Sequence, residues 1–139
     1  MSDIIIKSLQ DCLTSLLYSC TSYNKLAEKT QDESARKLLI SYATEEKHCF
    51  DLLCAHYIRI SDGLSFPVSL PDITVYDFYK SLLECITCKI SDIDKYKNLI
   101  SKTEAGDLRN LFLRILQCKV RQGFGLLVLI TPEELYLQR

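Results

Sequence analysis

Apolar residues recur every three and four positions along most of this chain, the period of helices with one buried face. The first segment, about 3–28, carries the stripe Ile6, Leu9, Leu13, Leu16, Cys20, Tyr23 and Ala27. The second, about 32–60, carries Ala35, Leu38, Tyr42, Glu45, Cys49, Leu52 and His56. The third, about 73–101, gives Phe78, Leu82, Cys85, Lys89, Asp92, Tyr96 and Leu99, and the fourth, about 107–130, gives Leu108, Leu111, Ile115, Cys118, Gln122, Gly125 and Leu129. The breaks "EKTQDES" and "SKTEAGD" are short, as in helix hairpins. The stretch "SDGLSFPVSLPD" (61–72), with Pro67 and Pro71, is the one clear linker. Extended, its twelve residues reach about 40 Å, and a helix of some 25 residues is about 37 Å long. The linker can therefore cross the whole bundle and leave the second and third helices parallel.

The two halves repeat. A shift of 73 residues sets Cys12 on Cys85, Tyr23 on Tyr96, Leu26 on Leu99, Lys29-Thr30 on Lys102-Thr103, Arg36 on Arg109, Leu38 on Leu111 and Leu53 on Leu126, in one register through both hairpins. The expectation is one all-α domain over 1–139, built from a duplicated helix pair at about 3–60 and 73–130. After it, "TPEE" offers Thr131 as an N-cap, Pro132 at the first helical position and Glu134 at the third, which predicts a short C-terminal helix. Gly123 and Gly125, inside the fourth helix, suit the close approach of another helix. The apolar run 126–130 marks the end of that helix as a candidate homodimer contact, beside the alternative of a buried helix end.

Composition narrows the function. A formal net charge of -1 supplies no basic field for nucleic acid. The longest apolar run, "LLVLI", is too short for a membrane span. Seven cysteines, an odd number at scattered helical positions, fit reduced and mostly buried thiols of a cytoplasmic protein. "MSDIIIKSLQDC" does not read as a secretory leader. "CITC" (85–88) is a C-x-x-C pair, but it lies mid-helix without a strand or a second pair, so structural thiols are expected. His56 reads as a hydrogen-bonded or partly exposed histidine, and "DIDKYK" (92–97) as a solvated face. No Gly-rich phosphate loop or Ser-His-Asp grouping is evident.

The chemistry worth following is "YATEEKHCF" (42–50). Glu45 and His48 stand three apart, a spacing that sets a carboxylate and an imidazole on one helical face, where they can ligate a metal. Two helix hairpins, a long crossover, a Tyr in the first helix of each pair and Glu-x-x-His in the second resemble the ferritin-like superfamily, most of all its rubrerythrin-type four-helix bundles. The likeness rests mainly on "SYNKLAEKTQDESARKLLISYATEEKHCFDLL" (22–53), with an echo in "KYKNLISKTEAGDLRNLFLRILQ" (95–117).

The resemblance implies a dimetal centre with one Glu from the first helix of each pair and Glu-x-x-His from the second. Carried over, the second-helix motif falls on Glu45 and His48. The first-helix Glu positions fall on Leu16 and Lys89. The second Glu-x-x-His falls on Cys118 and Arg121, or, with a slip of one residue, on Lys119 and Gln122. Four of the six ligands the resemblance implies are missing, and cationic side chains stand among the replacements. The expectation is a degenerate site in a non-catalytic structural or interaction module with no cofactor. There Glu45, on the inward stripe, pairs with Lys89 and with Arg121 or Lys119, and His48 is a hydrogen-bonded neighbour. The alternative is a metalloprotein with an oxidoreductase or metal-handling role. In that reading one iron, manganese or zinc ion sits on Glu45 and His48, near Cys118 or Cys49.

Overall fold

The computed structural model describes residues 3–69 and 71–130. Four α-helices hold most of them: α1 (Asp3–Lys29), α2 (Glu33–Ile60), α3 (Phe78–Lys102) and α4 (Asp107–Val128). No strand occurs among the described residues. The short helix expected after residue 130 lies outside them.

Local chemistry sets the helix ends. Asp32 caps α2, accepting from the backbone N–H of Ser34 at 3.0 Å and Ala35 at 3.4 Å. At its far end Asp62 (φ 64°) and Gly63 (φ 91°) turn left-handed, and the Gly63 N–H donates to the Ile58 carbonyl at 2.8 Å. The α3 start differs from expectation by five residues. The β-branched run Ile73-Thr74-Val75 stays outside the helix and seats Val75 in the core, and Asp77 then caps the helix through the Lys80 N–H at 3.1 Å.

Both hairpins close in the same way. Arg36 Nε donates to the Ala27 carbonyl and Arg109 Nε to the Ile100 carbonyl, each at 3.3 Å. Each pair is the other shifted by 73 residues, so the sequence repeat is a repeat of structure.

Each helix packs on two neighbours: α1 on α2 and α3, α4 on α3 and α2. Contacts along these seams pair rising with falling residue numbers. Gln10 meets Tyr57 while Ala27 meets Arg36, and Ser19 meets Lys89 while Cys12 lies beside Tyr96. Neighbours are therefore antiparallel, and α2 and α3 are parallel across the diagonal. The connection between them travels along α1. Phe66 packs edge-on against Phe50 and Tyr57, Pro67 and Pro71 lie by Leu17 and Tyr18, and Val75 reaches the cluster of Tyr23 and Leu26.

The core is in two parts. One holds Leu9, Leu13, Leu16, Phe50, Leu53, Tyr96, Phe112 and Ile115; the other holds Tyr23, Leu26, Leu39, Tyr42, Leu82 and Leu126. Between them every helix brings buried polar side chains to one level: Ser19 and Ser22, Glu46, Lys89 and Asp92, Lys119 and Gln122.

Candidate functional site

This polar layer is built around Glu46, which is 1% exposed. One carboxylate oxygen, Oε1, accepts from Lys89 Nζ at 2.7 Å and from Lys119 Nζ at 2.8 Å. Lys89 also donates to Ser19 Oγ at 3.1 Å, and its ammonium stands 4.8 Å from the centre of the Tyr23 ring. Lys119 faces a second carboxylate, Asp92 Oδ2, at 3.6 Å. Two cations and two anions thus sit in the middle of the bundle with no net charge among them. Above them the Tyr23 hydroxyl donates to Gln122 Oε1 at 2.9 Å, joining α1 to α4.

The electrostatics follow from burial and crowding. Burial would raise the Glu46 carboxyl, but the ammonium groups of Lys119 and Lys89 outweigh it and hold the pKa below the ordinary value. Burial and then the neighbouring Lys119 push Lys89 down to about 8, against the pull of Glu46. Burial acts on Lys119 in the same sense. Its two carboxylate neighbours, Glu46 first and Asp92 second, more than offset that and leave it raised.

The expected ion pair therefore exists, but on another residue. Glu45 is not on the inward face of α2, and Lys89 does not hold it. The inward positions are Leu39, Tyr42, Glu46, Cys49, Leu53 and Tyr57, so the buried face is turned from the stripe Leu38, Glu45, Leu52 and His56. Successive Glu45 and Glu46 give no reason in spacing to choose between them. The signal that could have chosen is the following pattern Cys49, Leu53, Tyr57, which continues from Glu46 with large residues to its end. Similarly, α4 turns Lys119 and Gln122 inward, the slipped register, and leaves Arg121 exposed.

Glu45 lies at the edge of the α2–α4 seam. Its carboxylate takes both terminal nitrogens of Arg121, one at 3.1 Å, and the Gln122 amide at 3.3 Å. Arg121 also reaches Cys118 Sγ at 3.6 Å. Of the residues expected around Glu45, Arg121 and Cys118 are thus brought together and Lys89 is not. His48 is exposed on the solvent side of α2. A guanidinium fills the face of Glu45 that a cation would need.

Donor chemistry tests the implied dimetal centre directly. At the polar layer the equivalent second-helix positions are Glu46 and Cys49 in one half and Lys119 and Gln122 in the other, while α3 contributes Lys89. Two divalent ions need several carboxylates to balance them, and two ammonium groups already neutralise the two carboxylates of the layer, Glu46 and Asp92. The residues do not fit the group. Among the described residues no three of His, Cys, Asp and Glu gather as a metal-binding group.

The thiols are free, as expected of a reduced set, but less buried than expected. Cys12 and Cys49 are buried, Cys20, Cys54, Cys85 and Cys118 are intermediate, and Cys88 is exposed. Burial raises Cys85 to about 11 and Cys49 to about 12, with Cys118 adding to the latter. No helix among the described residues is long and apolar enough to cross a membrane.

No family model matches the chain, and no curated protein matches it. A solved structure of a hypothetical protein from Pyrococcus furiosus is similar, with a TM-score of 0.78 at 14% identity over 88% of this chain and 85% of that one. The likeness is one of fold.

Proposed function

We propose that this chain is a ferritin-like bundle in which an ion-pair layer stands where relatives would hold a dimetal centre, and that it works as a non-catalytic module of assembly or scaffolding. The observation that carries the reading is Glu46 shared by Lys89 and Lys119 at 2.7 and 2.8 Å. Two fixed ammonium groups supply the positive charge that two metal ions would bring. The parallel α2 and α3, the repeat of the hairpins and Tyr23 and Tyr96 at equivalent buried positions support the kinship.

An assembly role is supported by the outer face of α3 and α4. Gly123 lies against Lys89 across the seam, and Val120, Phe124 (68% exposed) and Leu127 of α4 and Leu83 and Ile90 (61% exposed) of α3 are exposed apolar side chains. Extended apolar faces of this kind mark contact surfaces. A second copy of the chain is the proposed occupant, meeting it over a wider face than the helix end alone.

The test is metal content after purification without chelator and after incubation with iron, manganese or zinc. No stoichiometric metal is expected in either. Stoichiometric metal that is lost on Glu46→Gln overturns the reading, and metal lost on His48→Ala restores Glu45 and His48 as ligands.

A further inference from the structure

The seam between α2 and α4 joins the two halves of the repeat, and its side chains meet in one antiparallel run. Tyr42 faces Gly125, Glu45 takes Arg121, and Glu46 takes Lys119. The next step of that run brings two thiols together, Cys49 of α2 and Cys118 of α4. Cys118 packs against the core cluster that holds Cys49. It is close enough to act on the Cys49 thiol both through its charge and as a hydrogen-bond partner.

The two sulfurs differ in what reaches them. Cys49 is buried, whereas Cys118 is half-buried at the edge of the seam. The Arg121 guanidinium stands 3.6 Å from the Cys118 sulfur. It offers a positive charge to the thiolate, the form that attacks in thiol–disulfide exchange. Burial, then Cys118 and Glu46, push Cys49 up to about 12, so Cys49 is not the thiol that starts an exchange. Capping the Cys118 sulfur would remove one of the charges that raise Cys49, so a first step at Cys118 favours a second at Cys49. Cys85 and Cys88 also neighbour each other, but a bond between them would tie α3 to itself.

We propose that Cys118 and Cys49 are a redox pair that staples α2 to α4 by exchange with the disulfide of a small thiol such as glutathione. The Cys118 thiolate attacks one sulfur of that disulfide. The small molecule's S–S bond breaks, a mixed disulfide forms on Cys118, and one small thiolate leaves and takes up a proton. Cys49 then loses its proton to water, attacks the Cys118 sulfur and expels the second small thiol. Two protein thiols give up two electrons, and the incoming disulfide gains them. Excess reduced thiol reverses both steps. Such a bond ties the first hairpin to the second, whose covalent link is otherwise the connection 61–77. Reversible disulfides of this kind serve as sensors where thiols are otherwise kept reduced.

The test is made on the full chain, reduced, incubated with millimolar oxidised glutathione, quenched with iodoacetamide and mapped by peptide mass spectrometry. A Cys49–Cys118 link within one chain, released by dithiothreitol, is expected. The linked form should unfold at a urea midpoint about 1 M or more above the reduced form, because the bond closes a long loop. Cys49→Ala should keep glutathione on Cys118, and Cys118→Ala should lose the link and leave Cys49 unmodified. A Cys85–Cys88 bond in place of the link, no link at all, or a Cys118 that takes no glutathione in Cys49→Ala overturns the assignment. A link that leaves the urea midpoint unchanged refutes the staple.

Discussion

Replacing Glu46 by Gln removes the negative charge that two buried ammonium groups share and leaves the volume almost unchanged. Lys89 and Lys119 are then left with Asp92, 3.6 Å from Lys119, as the carboxylate within reach. Lys89 and Lys119 are 2% and 0% exposed, so water cannot take over the lost role. Breaking a buried pair from one side costs about 3–5 kcal/mol, a large part of a total stability of about 5–15 kcal/mol. Glu45→Gln, one residue earlier, is the control. Its partner Arg121 is 54% exposed, and such a pair is worth at most about 1 kcal/mol. Urea unfolding followed by circular dichroism separates the two. With a slope of about 1–3 kcal/mol per molar, the Glu46→Gln midpoint drops by roughly 1–5 M. Glu46→Leu combined with Lys89→Met, Lys119→Met and Asp92→Asn should recover most of the loss, because an apolar layer replaces the whole network. Equal, small losses for Glu45→Gln and Glu46→Gln would refute the central role of Glu46. A larger loss at Glu45 would move the site back to the edge.

Acid should unfold the chain as Glu46 protonates: its folded pKa is depressed, so its stabilisation is present above the ordinary carboxylate value of 4.5 and is lost as pH falls through the folded value. Lys89 has the opposite consequence. With a folded pKa near 8 against 10.5 it binds fewer protons folded than unfolded between those values, so its contribution to stability rises with pH there, and a pH series of urea midpoints reads both limbs. Gly125→Ala should destabilise by about 1–3 kcal/mol, since its Cβ would collide with the Tyr42 hydroxyl and ring. Gly123→Ala, with nothing nearer than Lys89 Cβ at 4.0 Å, should stabilise by up to about 1 kcal/mol, and thermal melts check the pair. Native-state labelling with a thiol reagent should reach Cys88 first, with Cys12 and Cys49 reacting only after denaturation. Phe124→Glu should shift the chain toward monomer in sedimentation at micromolar concentration if the α3–α4 face joins two copies; a dimer insensitive to it places the contact elsewhere.

Helix number, the breaks near 30 and 104, the long connection and the repeat were all legible in the spacing of apolar residues. That signal is strong because each helix buries a stripe over its whole length. The rotation of two helices was not legible to within one residue. In α2, Leu38-Leu39, Glu45-Glu46 and Leu52-Leu53 double the pattern, so two stripes 100° apart look equally apolar. In α4, Cys118-Lys119 and Arg121-Gln122 do the same, and a buried lysine runs against every compositional prior. Only packing decides: Tyr42 against Gly125 and Glu46 against Lys119 fix both helices at once. The late start of α3 was hidden because Val75 is buried outside the helix, at a place where a helical stripe would also set an apolar residue.

Glu46 and Lys119 differ by 73 residues, the length of the repeat, and they touch. In an ancestor made of two identical hairpins each would have faced its own copy, carboxylate against carboxylate or ammonium against ammonium. The attraction between them requires two halves that differ in sequence at this position. Opposite charges on pseudo-symmetric positions therefore favour pairing of unlike halves over pairing of like ones. A separated 3–60 hairpin, brought together as a dimer, would bury two Glu46 side chains with neither lysine present.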